Sequence, residues 1–418
     1  MAIMRLRYFA GWNVVGATFV MALFSFGLGF YGMSVHVAAL QGLHGWSAAA
    51  VSAPVTVYYI AGALLTVWIG DLYECFGPPA VVIGGSLAMA AGLAALGRVM
   101  QPWQLYPAFL LMSLGWGAMS GAAINIILAP WFQRRRGLAI SLAFNGATLG
   151  GVLIAPALIF LIEAVGFTRA LTVAGVVLLA VMLVLAGGIM RRGPAALGLG
   201  PDGDPPSSTD AGPPPAGALR SRAEALRTWR FWSVSAPFAL GLAAQVGVLT
   251  HLVSLVAPAL GSGGAARAVS ATTAAAVLGR LMTGFVIDRV NRRLAASATL
   301  VVQIGGVCLL AWAPSVPAVY AGCALFGLGV GNMTTLPGLI LAVEWPRERF
   351  SALVGLAVAI NQFTFAFGPS LVGVLRDWTG DYVLALGACA ALQAIAAVLI
   401  LLGPGKAQPS PNTRAALP

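Results

Sequence analysis

Apolar residues fill this chain in blocks rather than in stripes. Blocks of the length a bilayer-crossing helix needs, about 20 residues, fall at 13–40, 48–70, 80–97, 105–128, 138–162 and 168–190, and again at 231–258, 266–287, 295–312, 316–343, 351–374 and 382–403. Polar and charged residues are pushed into the gaps between them. The pattern predicts twelve membrane-spanning α-helices in two sets of six. Gly and Pro are frequent inside the blocks and blur their ends, because membrane helices tolerate both.

One gap is long. Residues 191–230 read RRGPAALGLGPDGDPPSSTDAGPPPAGALRSRAEALRTWR, too rich in Pro, Gly and Ser to bury a core. The expected organisation is a six-helix bundle at 1–190, a largely disordered basic and Pro-rich linker at 191–230, a second bundle at 231–403 and a disordered tail at 404–418. The start, MAIMRLRYFAGW, is basic and runs into an apolar block without an evident cleavage site. It reads as an uncleaved first helix.

Charge fixes an orientation. Of the 23 Lys and Arg residues, eighteen fall in the termini, the linker or gaps on the linker's side, four fall in the opposite gaps (Arg98, Arg169, Arg267, Arg376), and Arg280 is left inside a span. Positive residues stay in the cytoplasm, so both termini and the linker are expected there. The formal net charge of +11 is thus a topology signal; basic stripes interleaved with aromatics are absent, which argues against a nucleic-acid partner.

Composition agrees: 59% of the 418 residues are hydrophobic and 8% charged, a balance of lipid-embedded proteins. Cys75, Cys308, Cys323 and Cys389 are scattered without metal-ligand spacing and read as packing residues. No nucleophile–histidine pair or carboxylate dyad suggests an enzyme. Neither a metal nor a cofactor is expected.

The gaps after the second and eighth blocks echo each other. GDLYECFGPP carries Gly70 and Glu74, and GFVIDRVNRR carries Gly284 and Asp288 at the same spacing. With Arg289, Arg292 and Arg293, the second copy resembles the loop motif of the major facilitator superfamily; in the first copy, Glu74, Cys75 and Pro79 depart from it. The stretch WFQRRRGLAISLAFNGATLGG (131–151) is similar to the monocarboxylate-transporter signature. GFTRA (166–170) and GPSLVGVLRDWTGDY (368–382) resemble the bacterial monocarboxylate and oxalate–formate antiporter group. The resemblance covers most of 11–403. It implies the all-α major facilitator fold, two pseudo-symmetric six-helix bundles, and alternating access, working as a monomer in the bacterial inner membrane. It also implies that Gly284, Asp288, Arg289 and Arg292, with Arg134 and Arg135, form a charge network closing the cytoplasmic side.

Arg280 is the candidate for chemistry. A charged group near the bilayer centre costs roughly 2.5–3.5 kcal/mol on the lenient insertion scale, yet no Asp or Glu falls at membrane depth in any block. Without a protein partner, an incoming carboxylate is the natural counter-ion, because guanidinium binds it through two parallel charge-assisted hydrogen bonds. The monocarboxylate-like family is expected to use an arginine in the eighth helix in this way, and Arg280 matches it. A second cation at depth is missing, so one carboxylate suits the site better than two.

Tyr31, Asn145, Asn361 and His251 are the candidate companions of Arg280 at the substrate site, with Phe363 and Phe365 nearby. His251 and, less so, His36 are candidate proton carriers, since imidazole titrates near neutral pH. The function expected is transport of a lactate- or pyruvate-like monocarboxylate, with a proton or by exchange. The alternatives are an oxalate–formate type of exchanger and a drug exporter of the same superfamily.

Overall fold

The computed structural model describes residues 9–204, 223–287, 289–312, 315–345 and 347–403, giving only the backbone for 347–352. The expected disorder at 205–222 and 404–418 lies outside these residues, as does Asp288.

Every predicted block falls on a helix. Helix α1 spans Gly11–Phe26, makes a π turn at Gly27–Tyr31 and continues over Met33–His44. One run of 49 residues, Ala48–Leu96, follows, and another of 58, Trp229–Val286, opens the second half. At about 1.5 Å per residue the shorter run would extend roughly 70 Å, against about 30 Å of hydrocarbon. Each therefore doubles back. The reversals sit at Gly77 (φ 74°) and Gly261 (φ 66°), in the left-handed region that glycine enters without strain. They split the runs into α2 (48–76) and α3 (78–96), and α7 (229–260) and α8 (262–286).

The remaining helices are α4 (Pro102–Leu128), α5 (Arg136–Val165), α6 (Phe167–Gly188), α9 (Arg292–Ala311) and α12 (Val383–Leu401). Helix α10 is Val316–Val330, interrupted by turns and resumed at Leu336–Glu344. Helix α11 is Arg347–Phe365 followed by Gly368–Thr379. Helices suit lipid because they satisfy each backbone group within the segment.

The two halves repeat at a fixed offset. Gly70 and Gly284, Trp131 and Trp345, Glu163 and Asp377, and Gly166 and Gly380 all stand 214 positions apart, and the last pair share φ values of 81° and 82°. Close packing repeats as well. Gly146 and Gly150 bring α5 onto the α1 backbone, as Gly247 and Gly368 bring α7 onto α11. Gly62 seats α2 on Trp116 of α4, as Gly279 and Gly327 seat α8 on α10. Small residues at such contacts let helices gain dispersion energy that lipid cannot match.

Polar ties reinforce the second half. Gln303 of α9 donates to Gln245 of α7 at 2.9 Å and accepts from Gln393 of α12 at 2.7 Å, all three buried. At the linker end, Arg293 forms a bidentate pair with Glu344, 2.6 and 2.8 Å, with side chains 7% and 12% exposed. Arg293 also donates to the Ser233 and Ile400 carbonyls and the Ser233 hydroxyl. It thereby gathers the ends of α7, α9, α10 and α12.

Within the expected linker, residues 195–197 and 201–203 form short 3-10 turns. The Asp202 carboxylate accepts from the backbone N–H groups of Gln133, Arg134 and Arg135 just ahead of α5, and Asp204 pairs with Arg134 at 3.0 Å. Burial pushes the Asp202 carboxyl upward, but these amides and the Arg134 charge outweigh it and hold it below the usual carboxylate range.

Besides the Ser254 to Gln41 bond that ties α7 to α1, the halves meet along two seams that bear on the site. Helix α2 meets α11 through Ala48 and Ala49 on Asp377, Thr56 on Ser370 at 2.7 Å, and Tyr59 on Phe365 with ring centroids 5.3 Å apart. Helix α5 meets α8 through Glu163 with Ser262, the Val152 carbonyl with Ser270 at 3.1 Å, and Thr148 with Arg280 at 3.3 Å. Both seams start at the face away from the linker, called the far side below, and run to mid-helix.

Candidate functional site

Arg280 sits where the α5–α8 seam ends. Its neighbour Gly279 lets α8 press against the Leu328 backbone of α10. The turns at 331–335 interrupt α10 and leave the Gly331 carbonyl facing the guanidinium, which donates to it from Nε at 3.2 Å. Nη1 donates across the halves to the Thr148 hydroxyl at 3.3 Å. Both partners are neutral. Among the described residues no carboxylate pairs with Arg280, although it is only half-buried and a second bond-forming edge is left over.

Tyr31 joins this group. It closes the π turn of α1, and a Cβ on Gly151 of α5 would fall 2.8 Å from its ring. Its hydroxyl lies within electrostatic reach of the guanidinium. A second π turn, Gly150–Ile154 in α5, packs against the first: Gly27 abuts Ile154, and Gly150 abuts Gly27. Such turns shift the face a helix presents by one residue and recur at functional sites. Here they bring Tyr31 and Thr148 toward Arg280. On the far side Tyr31, Ser34, Leu249, Leu252, Val269, Thr272 and Thr273 close together around a narrow crevice.

The other candidates divide. Asn145 is exposed one turn from Thr148 on the same face of α5, toward the linker. Asn361 is buried on α11 with its Oδ1 lacking a partner, one turn from Phe365; no contact joins it to Arg280. Phe363 is 56% exposed and packs on Phe367 instead.

His251 stands apart from Arg280, in the far-side seam. Its Nε2 lies 3.1 Å from the Pro369 carbonyl and 3.0 Å from the Ser52 hydroxyl, and Nδ1 lies 3.2 Å from the Tyr382 hydroxyl. A carbonyl only accepts, so Nε2 carries the proton and Nδ1 accepts from Tyr382. Both nitrogens are thus engaged, the Ser52 contact across the seam and the Pro369 and Tyr382 contacts within the second half. His36 donates from Nε2 to the Leu28 carbonyl at 3.2 Å, and its Nδ1 is buried without a partner.

Of the loop residues, Gly284 has open space around it and Arg289 is exposed. Arg292 donates to the Leu339 carbonyl at 2.6 Å within its own half. Arg134 is held by Asp202 and Asp204, with Arg135 contributing a backbone N–H.

Sequence reasoning missed Thr148, Gly331 and both π turns. The available signals were the glycine pairs: Gly27 with Gly29 ahead of Tyr31, and Gly150 with Gly151 behind Thr148. It also missed that the 214-residue offset relates Arg280 to Thr66, whose hydroxyl bonds back to the Gly62 carbonyl at 2.9 Å. The cation belongs to one half only.

Comparison with known proteins agrees with this frame. The family model described as Major Facilitator Superfamily matches residues 17–269 and 260–417. Mouse monocarboxylate transporter 11 is 28% identical, covering 96% of this chain and 88% of its own. Human monocarboxylate transporter 2 is 25% identical, covering 94% and 85%. Among solved structures, a point mutant of the nucleoside transporter NupG superposes with a TM-score of 0.75 at 12% identity, over 93% of this chain and 99% of that one. A bacterial homologue of the human lysosomal transporter Spinster, inward-facing and occupied, gives 0.67 at 14% identity, over 93% and 94%. The structural likenesses show the shared fold, and the family match spans nearly the whole chain: this protein belongs to the Major Facilitator Superfamily, as a transporter and not an enzyme.

Proposed function

We propose that the protein carries a small monocarboxylate of the lactate or pyruvate kind across the bacterial inner membrane, together with a proton or in exchange for another acid. The observation that carries this reading is the Arg280 guanidinium, held at mid-helix by two neutral oxygens, Gly331 O and Thr148 Oγ1, and by no carboxylate of the described chain. A substrate carboxylate would take the remaining donors in a charge-assisted fork. Tyr31 and Asn145 flank that position, and Asn361 offers an unused acceptor from α11. The similarity to proteins named monocarboxylate transporters supports the same substrate class.

With both termini in the cytoplasm, the closed far side is periplasmic and the site opens inward. Binding energy realised in both orientations lets the two halves rock around one fixed charge. The superfamily's cytoplasmic closure would draw on Gly284, Asp288, Arg289, Arg292, Arg134 and Arg135 in the opposite state.

Counterflow in proteoliposomes tests the proposal. Vesicles preloaded with unlabelled acid should take up labelled L-lactate or pyruvate, and Arg280→Gln should abolish the uptake. Full activity in a folded Arg280→Gln protein would remove the carboxylate from this site. Exchange of oxalate alone would defeat the one-cation argument for a monocarboxylate.

A further inference from the structure

The last acid of α11 and the last acid of α5 are repeat-related, and each reaches into the other half. Asp377 lies at the far-side end of α11, where its two carboxylate oxygens accept from the backbone N–H groups of Ala48 and Ala49 at 2.9 and 2.7 Å. These are the first two residues of α2, whose own cap, Ser47, serves Ala50 at 3.2 Å. Glu163, 214 positions earlier, accepts from the Ser262 hydroxyl at the first residue of α8. Asp377 is the tighter of the two, with its side chain 22% exposed, whereas Glu163 is exposed.

A carboxylate on first-turn amides gains charge-assisted hydrogen bonds and a favourable helix dipole. An ordinary cap does this within one segment. Here cap and helix belong to different halves, so the stabilisation exists only while the far side is shut. The neighbours are built around the same contact. A Cβ on Gly373 would fall 2.8 Å from Ser52 Oγ, so glycine is what lets α11 close on α2. Ser52 in turn accepts from His251 and donates to the Ala48 carbonyl at 2.6 Å. Arg376 lies 3.6 Å from Asp377 but is itself 40% exposed, and an ion pair so placed contributes little.

We propose that Asp377 is a positioning residue for transport: as the cap of α2 in trans, it sets how firmly the far side closes over the substrate site, with Glu163 on α8 as its weaker twin. It touches no substrate. It biases the two orientations because its bonds count in one of them and not in the other. The inference rests on the alternating-access reading but not on the identity of the acid.

Site-directed labelling in nanodiscs, where both faces meet solvent, tests it. The parent carries Thr56→Cys, which lies behind the cap and is 7% exposed as threonine, with Cys75 and Cys308 replaced by alanine. Cys323 and Cys389 are fully buried and stay as reporters of unfolding. A bulky maleimide should label the Thr56 position slowly in the parent and about tenfold faster with Asp377→Asn, equivalent to about 1.4 kcal/mol. Ala49→Pro deletes one of the two donors without touching a charge, at a first-turn position where proline is tolerated; it should raise the rate severalfold. Arg376→Ala should stay within twofold of the parent.

If Asp377→Asn and Ala49→Pro both label at the parent rate, the inference is overturned. Should Asp377→Asn also expose Cys323, Ala49→Pro decides alone: faster labelling with Cys323 protected supports the cap, and the parent rate overturns it. Labelling needs no substrate. Silent counterflow would therefore defeat the monocarboxylate reading while leaving this result standing.

Discussion

Glu344→Gln isolates the ion pair that knots the linker end of the second half. The substitution keeps the side-chain volume and removes the charge facing Arg293, which is 7% exposed. Breaking a buried pair by removing one partner costs about 3–5 kcal/mol, because the survivor stays charged and desolvated. Arg293 retains the Ser233 carbonyl and hydroxyl and the Ile400 carbonyl at 3.2, 3.0 and 2.8 Å, so the lower end, about 3 kcal/mol, is expected. That is roughly a hundredfold in the unfolding equilibrium. Denaturation by SDS in mixed micelles reads it. The double variant Arg293→Met, Glu344→Leu should recover to within about 1 kcal/mol of the parent, since packed apolar groups of similar volume replace such pairs at little loss. A double variant as unstable as Glu344→Gln alone would refute the reasoning, because the loss would then come from shape and not from a stranded charge.

Gly279→Ala should reduce counterflow by about a hundredfold, because its Cβ would meet the Leu328 backbone and displace the adjacent Arg280 by the order of an ångström; Gly284→Ala, with open space around it, should leave the melting temperature unchanged in detergent. Arg280→Lys should bind the acid more weakly than the parent by at least tenfold, since an ammonium keeps the charge but loses the planar fork; equal affinity, measured by ligand-induced thermal shift, would count against bidentate binding. The Asp202 contact carries a pH signature. Its folded value is depressed, so its stabilisation is full above the unfolded value of about 3.9 and is lost as pH falls through the lower folded one. The protection of the Gln133–Arg135 amides against hydrogen exchange, taken relative to the intrinsic rate at each pH, should accordingly be high at neutral pH and fall in acid, and Asp202→Asn should show low protection throughout.

Spans, halves and the lone cation were readable because lipid enforces them: a helix must be about 20 apolar residues long, and an intramembrane charge stands out against that background. Apart from Tyr31, what surrounds Arg280 was not readable. Gly331 O becomes an acceptor only because α10 breaks at 331–335, and a hydropathy pattern does not register such a break. The π turns shift Tyr31 and Thr148 by one residue while leaving composition unchanged. His251 shows the opposite failure. A histidine in an apolar block looks like an unsatisfied, reactive group until Pro369, Ser52 and Tyr382, from distant parts of the sequence, are seen to complete it. The repeat offset was present in the letters, but its matched residues are too far apart to announce themselves without the paired helices.

That Thr66 stands where the repeat would place a second Arg280 has an electrical consequence. On the proposed reading the empty carrier holds within the membrane the Arg280 charge, which no carboxylate of the described residues pairs, and a bound monoanion cancels it. Moving one elementary charge through the full membrane field is worth about 2.3 kcal/mol per 100 mV. Membrane voltage would then act on the return of the empty carrier and scarcely on the loaded one. Uptake of the anion alone would then be electrogenic and follow the cell's potential, whereas one-for-one exchange, which never returns the carrier empty, would be insensitive to it.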